Sequence, residues 1–210
     1  MVVVFDVDGT LLDTYQVVRQ TYIDIITTYL PHIKWDEELL KTFFGPPLKD
    51  TFYQLVHDET WALDLVQKYR ERTKVNNPLF LRVFPDTIKL VTTLKQEGFR
   101  LGILSNKIKD AILEGFQLVD MPPVFNYILG YEDLTYPKPH PEGLLKMKNH
   151  FHDEVIMVGD SIYDIETANR AHALSIGVTW GMTSASTLTE AGATWVAQTM
   201  EELREILLSY

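Results

Sequence analysis

Two aspartates stand two residues apart in the run Phe5-Asp6-Val7-Asp8-Gly9-Thr10, and a third lies in Gly159-Asp160-Ser161. A carboxylate can attack a phosphoryl group and carry it as an aspartyl-phosphate that water then cleaves, so that one difficult displacement becomes two easier ones. Asp6 is the candidate for that nucleophile. Asp8 is the candidate for proton work: it would protonate the leaving oxygen and then deprotonate the attacking water, with a neighbouring carboxylate helping to keep it protonated. Magnesium favours octahedral oxygen ligands and commonly takes one or two carboxylates with waters and phosphate oxygens, which suits Asp6, Asp160 and the Asp8 main-chain carbonyl. Ser105 offers a hydroxyl donor, Asn106 an amide donor and Lys138 a compact positive charge. Aimed at a transferring phosphoryl group, the three would stabilise its transition state electrostatically.

Each feature also has a plainer reading. Asp-x-Asp-Gly can be a simple turn or the start of a calcium loop, but a calcium loop needs a glutamate at its twelfth position and Val17 stands there. Ser105, Asn106 or Ser161 alone could cap a helix, and Lys138 among Pro137, Pro139 and Pro141 could be a solvated lysine. The histidines show no paired spacing for a metal.

Composition narrows the partners. The chain has 210 residues, a formal charge of −10 and 19 scattered basic residues, which argues against a nucleic-acid surface. An acidic protein acting on an anionic substrate needs a local cation, and a divalent ion held by carboxylates provides one. No cysteine is present, so the chemistry falls to oxygen and nitrogen groups. No stretch approaches the ~18 apolar residues of a membrane span, and Met1 to Phe5 lacks the flank and length of a signal peptide. A cytoplasmic protein with no membrane partner is expected; the sequence leaves the oligomeric state undetermined.

The elements that must position these groups follow from periodicity. Short β-branched or apolar runs at 2–7, 100–104, 155–158, 175–178 and 194–197 read as buried parallel strands, with helical patterns at 87–97 and 163–171 between them. Gly98 is placed to end the first of those helices. The expected class is α/β, a Rossmann-like parallel sheet. Ligands bind beyond the carboxyl ends of such strands, where Asp6, Asp8, Ser105 and Asp160 would converge. The stretch 14–81 breaks the alternation: Val17, Val18, Tyr22, Ile25 and Ile26 have helical spacing, and no strand is evident. It is expected to be a helical cap domain of about four helices, divided at Pro31, at Gly45-Pro46-Pro47 and at Asn76-Asn77-Pro78. The core would comprise 1–13 and 82–210, with hinges near 13–15 and 81–84.

Phe5-Asp6-Val7-Asp8-Gly9-Thr10-Leu11-Leu12-Asp13-Thr14 resembles the first motif of the haloacid dehalogenase-superfamily phosphatases. Ser105-Asn106 looks like their second motif, Lys138-Pro139-His140-Pro141 like the third, and Gly159-Asp160-Ser161 with Asp164 like the fourth. The motifs occur in order along essentially the whole chain, and the long helical insertion between the first two is similar to the C1-capped, phosphoglycolate-phosphatase-like branch. The resemblance implies a magnesium-dependent phosphatase acting on a small phosphorylated metabolite such as phosphoglycolate, pyrophosphate, a nucleotide or a sugar phosphate. It implies phosphate binding by Gly9, Thr10, Ser105, Asn106 and Lys138, a supporting place for Asp164 in the metal shell, and a substrate-specificity loop at Gly45, Pro46 and Lys49. The chain departs from the branch at Asp86, where a glycine is usual, and at Arg170-Ala171-His172-Ala173, which replaces an alanine-glycine step. Asp8 is the phosphatase and mutase pattern rather than the dehalogenase one. A phosphosugar mutase or a non-catalytic phospho-ligand-binding protein remain the alternatives.

Overall fold

The computed structural model describes residues 1–210. In chain order the elements are β1 (Val2–Phe5), β2 (Leu12–Asp13), α1 (Tyr15–Tyr29), α2 (Glu37–Lys41), α3 (Leu48–Val56), α4 (Glu59–Phe80), β3 (Arg82–Val83), α5 (Thr87–Gln96), β4 (Arg100–Leu104), α6 (Lys109–Leu118), β5 (Phe125–Leu129), α7 (Glu142–Phe151), β6 (Val155–Gly159), α8 (Ile162–Arg170), β7 (Leu174–Val178), α9 (Ala185–Glu190), β8 (Trp195–Ala197) and α10 (Met200–Leu208). They form two compact units, Met1–Asp13 with Val83–Tyr210, and Thr14–Arg82.

The first unit is built on a six-stranded sheet in the order β5-β4-β1-β6-β7-β8. Every pairing is parallel. All residues of β1 are buried, as expected for a central strand covered on both faces. On one face Val2, Val4 and Met157 pack with Leu144, Met147 and Phe151 of α7. On the other, the Phe5 ring meets Phe125 edge-on at 6.5 Å, and Phe125 stacks on Phe116 of α6 at 5.3 Å. The chain runs from β1 to its neighbour β4 on one side and later to β6 on the other, so the order reverses at β1. That is the point at which an open parallel sheet offers a crevice beyond its strand ends. The short strands β2 and β3 pair separately.

The second unit contains α1 to α4. Val17, Thr21, Tyr22, Ile25 and Ile26 form the buried stripe of α1, at the spacing of one helical face. They join a core with Leu40, Phe43, Phe52, Leu65 and Tyr69. The expected break at Asn76-Asn77-Pro78 does not occur: α4 continues through all three residues to Phe80. Two facts explain the difference. Buried Asn76 donates to Thr21 Oγ1 at 3.0 Å and to Asp24 Oδ2 at 3.1 Å, which ties it to α1. Pro78 sits in the final turn, where it gives up only the bond its N–H would make to Lys74 O, and just Leu79 and Phe80 follow it in the helix.

Candidate active site

The first strand ends at Phe5, earlier than the expected residue 7, so strand alternation is not what places Asp8. A tight turn does so instead. Val7 O accepts from Leu11 N at 3.0 Å and Leu12 N at 2.9 Å, and Gly9 N donates to Leu12 O at 2.9 Å. Gly9 takes φ +79°, which glycine adopts without strain. A Cβ there would also lie 2.6 Å from Asp160 Cγ, so the turn needs glycine for space as well as conformation. Asp6 N donates to Val158 O at 2.9 Å, which fixes Asp6 beside the end of β6.

Asp6, Asp160 and Asp164 are buried, and each presents a carboxylate oxygen within 4.8 Å of the others. Lys138, also buried, reaches Asp164 Oδ1 at 2.5 Å and Asp6 Oδ1 at 2.9 Å. The contact with Asp6 is a buried ion pair, so one ammonium is shared between two of the three carboxylates. Asp164 is fully committed: its Oδ2 accepts from Ser161 Oγ at 2.6 Å and Ser161 N at 3.1 Å, reaching back across the first turn of α8. Asp160 Oδ2 accepts from Met182 N at 3.1 Å.

Crowding these acids in a buried place shifts them. Burial raises the Asp6 carboxyl to about 6, with Lys138 opposing and Asp164 adding to the rise. Burial, then the like charges of Asp164 and Asp6, raise Asp160 to about 8. Burial works against the charge on Lys138, but Asp164 and Asp6 outweigh it and its pKa rises. The donor set is all oxygen, and three buried carboxylates converge on one place. These features fit a hard divalent cation such as magnesium.

Several expected site residues have other uses. Asn106 bonds the main chain of Lys138 on both sides: its Oδ1 accepts from Lys138 N at 2.9 Å and its Nδ2 donates to Lys138 O at 3.2 Å. It therefore holds the main chain of Lys138. The Thr10 hydroxyl, expected to bind phosphate, donates to Asp160 Oδ1 at 3.3 Å. The N–H of Gly9 is used within its own turn. Ser105 is buried at the end of β4, and its N–H donates to Leu129 O at 3.1 Å. The carboxylate of Asp8 is not in the buried acidic group. It is bound by Lys107, whose Nζ lies 2.9 Å from Oδ1 and 3.2 Å from Oδ2. In the helical unit, Gly45 takes φ +99° in the loop before α3, and Lys49 Nζ pairs with Glu59 Oε1 at 2.6 Å.

Three residues outside the expected site also contribute to it. Lys107 follows Ser105 by two residues at the same strand end, which was the available signal. Trp180 Nε1 donates to Thr10 O at 3.0 Å and so braces the first turn. A Cβ at Gly181 would come within 2.5 Å of Asp160 Cγ. No local pattern linked Trp180 or Gly181 to an aspartate so distant in sequence.

Comparison with known proteins agrees with this geometry. Residues 3–178 match the family described as haloacid dehalogenase-like hydrolase. Pyrophosphatase PpaX of Bacillus pumilus (strain SAFR-032) is 32% identical over 209 residues, covering 98% of this chain and 95% of the relative. Pyrophosphatase PpaX of Oceanobacillus iheyensis is 30% identical, covering 98% and 94%. Among solved structures, a protein from Bacteroides fragilis assigned as a haloacid dehalogenase-like hydrolase superposes with a TM-score of 0.89 at 30% identity, covering 96% of this chain and 98% of that one. One from Clostridium acetobutylicum assigned as a phosphatase gives 0.84 at 28% identity, covering 99% and 98%. The chain belongs to the haloacid dehalogenase-like hydrolase family, on its phosphatase side.

Proposed function

We propose that this protein is a magnesium-dependent phosphatase that cleaves a small phosphorylated molecule through a phosphorylated Asp6. The observation that carries the reading is the buried carboxylate of Asp6, whose Oδ1 lies 2.9 Å from Lys138 Nζ and which shares its place with Asp160 and Asp164. Asp6, Asp160 and the main-chain carbonyl of Asp8 would hold magnesium, and Asp164 would steady that shell. Bound there, the ion would neutralise the carboxylates and polarise a phosphoryl oxygen.

The side chains supply the rest. An Asp6 carboxylate oxygen attacks phosphorus while Asp8, outside the buried group, gives a proton to the leaving oxygen. Asp8 then takes a proton from the water that cleaves the aspartyl-phosphate. Ser105 donates its hydroxyl to the transferring group, Lys138 neutralises its charge, and Asn106 keeps Lys138 in position. Two relatives are named pyrophosphatase PpaX, which supports testing pyrophosphate among the first candidates. The reading also expects a cytoplasmic enzyme, and no helix is long and apolar enough to cross a membrane.

The test is phosphate release from pyrophosphate, phosphoglycolate, nucleotides and hexose 1-phosphates, with magnesium or chelator, in wild type and Asp6→Asn. Metal-dependent release that Asp6→Asn abolishes supports the reading. Isomerisation of a hexose phosphate without release would replace it with a mutase, and absence of any turnover would leave a phospho-ligand-binding protein.

A further inference from the structure

The mechanism above uses Lys138 but gives no task to Lys107. The two lysines have different settings. Lys138 is enclosed between Asp6 and Asp164, its side chain 3% exposed. Lys107 is on the solvent side, its side chain 16% exposed and its partner Asp8 33% exposed. Its position is nevertheless built. Lys107 N donates to Ser105 Oγ at 3.3 Å, Lys107 O accepts from Tyr131 N at 3.0 Å, and a Cβ at Gly130 would come within 2.9 Å of Lys107 O. A glycine and two hydrogen bonds thus seat the backbone from which this ammonium reaches Asp8.

Asp8 marks where the leaving group departs, because the group that protonates the leaving oxygen must touch it. An ammonium 2.9 Å from Asp8 is therefore a neighbour of the departing group, whereas Lys138 belongs to the phosphoryl group bonded to Asp6. We infer that Lys107 is a specificity-determining residue that receives a negatively charged leaving group and selects pyrophosphate and phosphorylated carboxylates over phosphate esters of neutral alcohols. The inference rests on the phosphatase reading with Asp8 as proton donor. In the first step the Asp6 oxygen bonds to phosphorus, the bond from phosphorus to the leaving oxygen breaks, and that oxygen takes the Asp8 proton. The departing molecule keeps its remaining negative charge on its own phosphate or carboxylate, which Lys107 binds. Water then bonds to phosphorus, the Asp6 oxygen is released, and the water's proton passes to Asp8.

The experiment compares kcat/KM for pyrophosphate, for phosphoglycolate and for 2-hydroxyethyl phosphate, a neutral counterpart of similar size, with magnesium present. Lys107→Met loses roughly ten- to hundredfold on the first two substrates, the range for removing a hydrogen bond to a charged group, and clearly less on the third. Lys107→Arg restores the preference, and Lys107→Glu shifts it toward phosphoethanolamine, whose leaving group carries an ammonium. Lys107→Gln carries the same comparison if the Met variant fails to fold by circular dichroism. An equal loss on all substrates overturns the inference and leaves Lys107 as a holder of Asp8; so does no loss, or a wild type that prefers the neutral ester. Absence of phosphate release by wild type from every substrate instead defeats the phosphatase reading, and the inference with it.

Discussion

The two units of this protein bury different kinds of polar group. The α/β unit buries three carboxylates and an ammonium, Asp6, Asp160, Asp164 and Lys138, and two of the acids are pushed up to about 6 and about 8. In the helical unit the buried polar side chains are neutral: Thr14, Thr21, Thr51, Asn76 and Asn77. Its acids lie toward solvent in ion pairs, such as Asp24 with Arg72 and Glu59 with Lys49. Its centre is aromatic, with the Tyr22 ring 4.6 Å from that of Phe43 and 4.7 Å from that of Tyr69. Stability alone favours the second arrangement, because buried charges are expensive to desolvate and like charges repel. The first arrangement makes sense where a ligand uses the acids, which is why perturbed carboxylates cluster at functional sites.

Asp6→Asn breaks that contrast most sharply. Turnover should fall on the order of 10⁴-fold or more, as when a nucleophile is lost. The same substitution removes one of three crowded acids, so the thermal midpoint in chelator should stay at or above that of wild type. A large loss of stability alongside the loss of activity would mean that Asp6 serves the fold, and the contrast between the units would collapse.

Phe52→Ala is the converse. It empties part of an aromatic core and should destabilise the helical unit by about 3–5 kcal/mol. Hydrogen exchange should quicken across 14–82 while amides of β1, β4 and β6 keep their protection. Equal loss of protection in the sheet would show that the two units share one cooperative core.

Metal and pH sharpen the comparison further. Asp160 has an ordinary value of 3.8 and sits at about 8 in the fold, so its contribution to stability is complete below about pH 4 and is lost as the pH rises through about 8. Asp6, raised to about 6, acts in the same direction over a narrower window. The thermal midpoint in chelator should therefore decline from about pH 5 to about pH 8, and the increment restored by magnesium should grow over that interval. An increment that shrinks with rising pH would show that these carboxylates do not hold the ion.

The strands that carry the site were legible because they are short, apolar and punctuated. Arg100–Leu104 stands where its run lies, and Val155–Gly159 extends its run by a single residue. The edge strand Phe125–Leu129 was missed, since Asn126 interrupts its apolar residues and only tertiary contacts identify it: Asn126 Oδ1 accepts from Leu101 N at 3.1 Å. The site shows the same division. Residue types announced the acids at the strand ends, but the pairing of Lys107 with Asp8 joins positions 99 residues apart. Likewise, the clamp of Asn106 on the Lys138 main chain depends on which way an amide turns, and no sequence spacing records that.

The departures from the family pattern at Asp86 and His172 prove to be backbone matters. Both take positive φ, 62° and 49°. At the end of α8, His172 N donates to Asn169 O at 3.1 Å and Ala173 N to Ala168 O at 2.9 Å. The same pair of bonds closes α5, where Gly98 N meets Lys95 O at 3.2 Å and Phe99 N meets Leu94 O at 3.0 Å. Both ends are Schellman motifs, and the position that glycine fills at 98 is filled by a histidine at 172. A side chain in the left-handed region costs about 1–2 kcal/mol, and glycine returns part of that gain as unfolded-state entropy, about 0.5–1 kcal/mol. His172→Gly should therefore stabilise the α/β unit by roughly 0.5–1 kcal/mol in chemical denaturation, with kcat/KM unaltered. A loss of activity without a gain in stability would move His172 from the frame of the fold into its chemistry, and the separation between a strained site and a relaxed scaffold would have to be redrawn within the α/β unit itself.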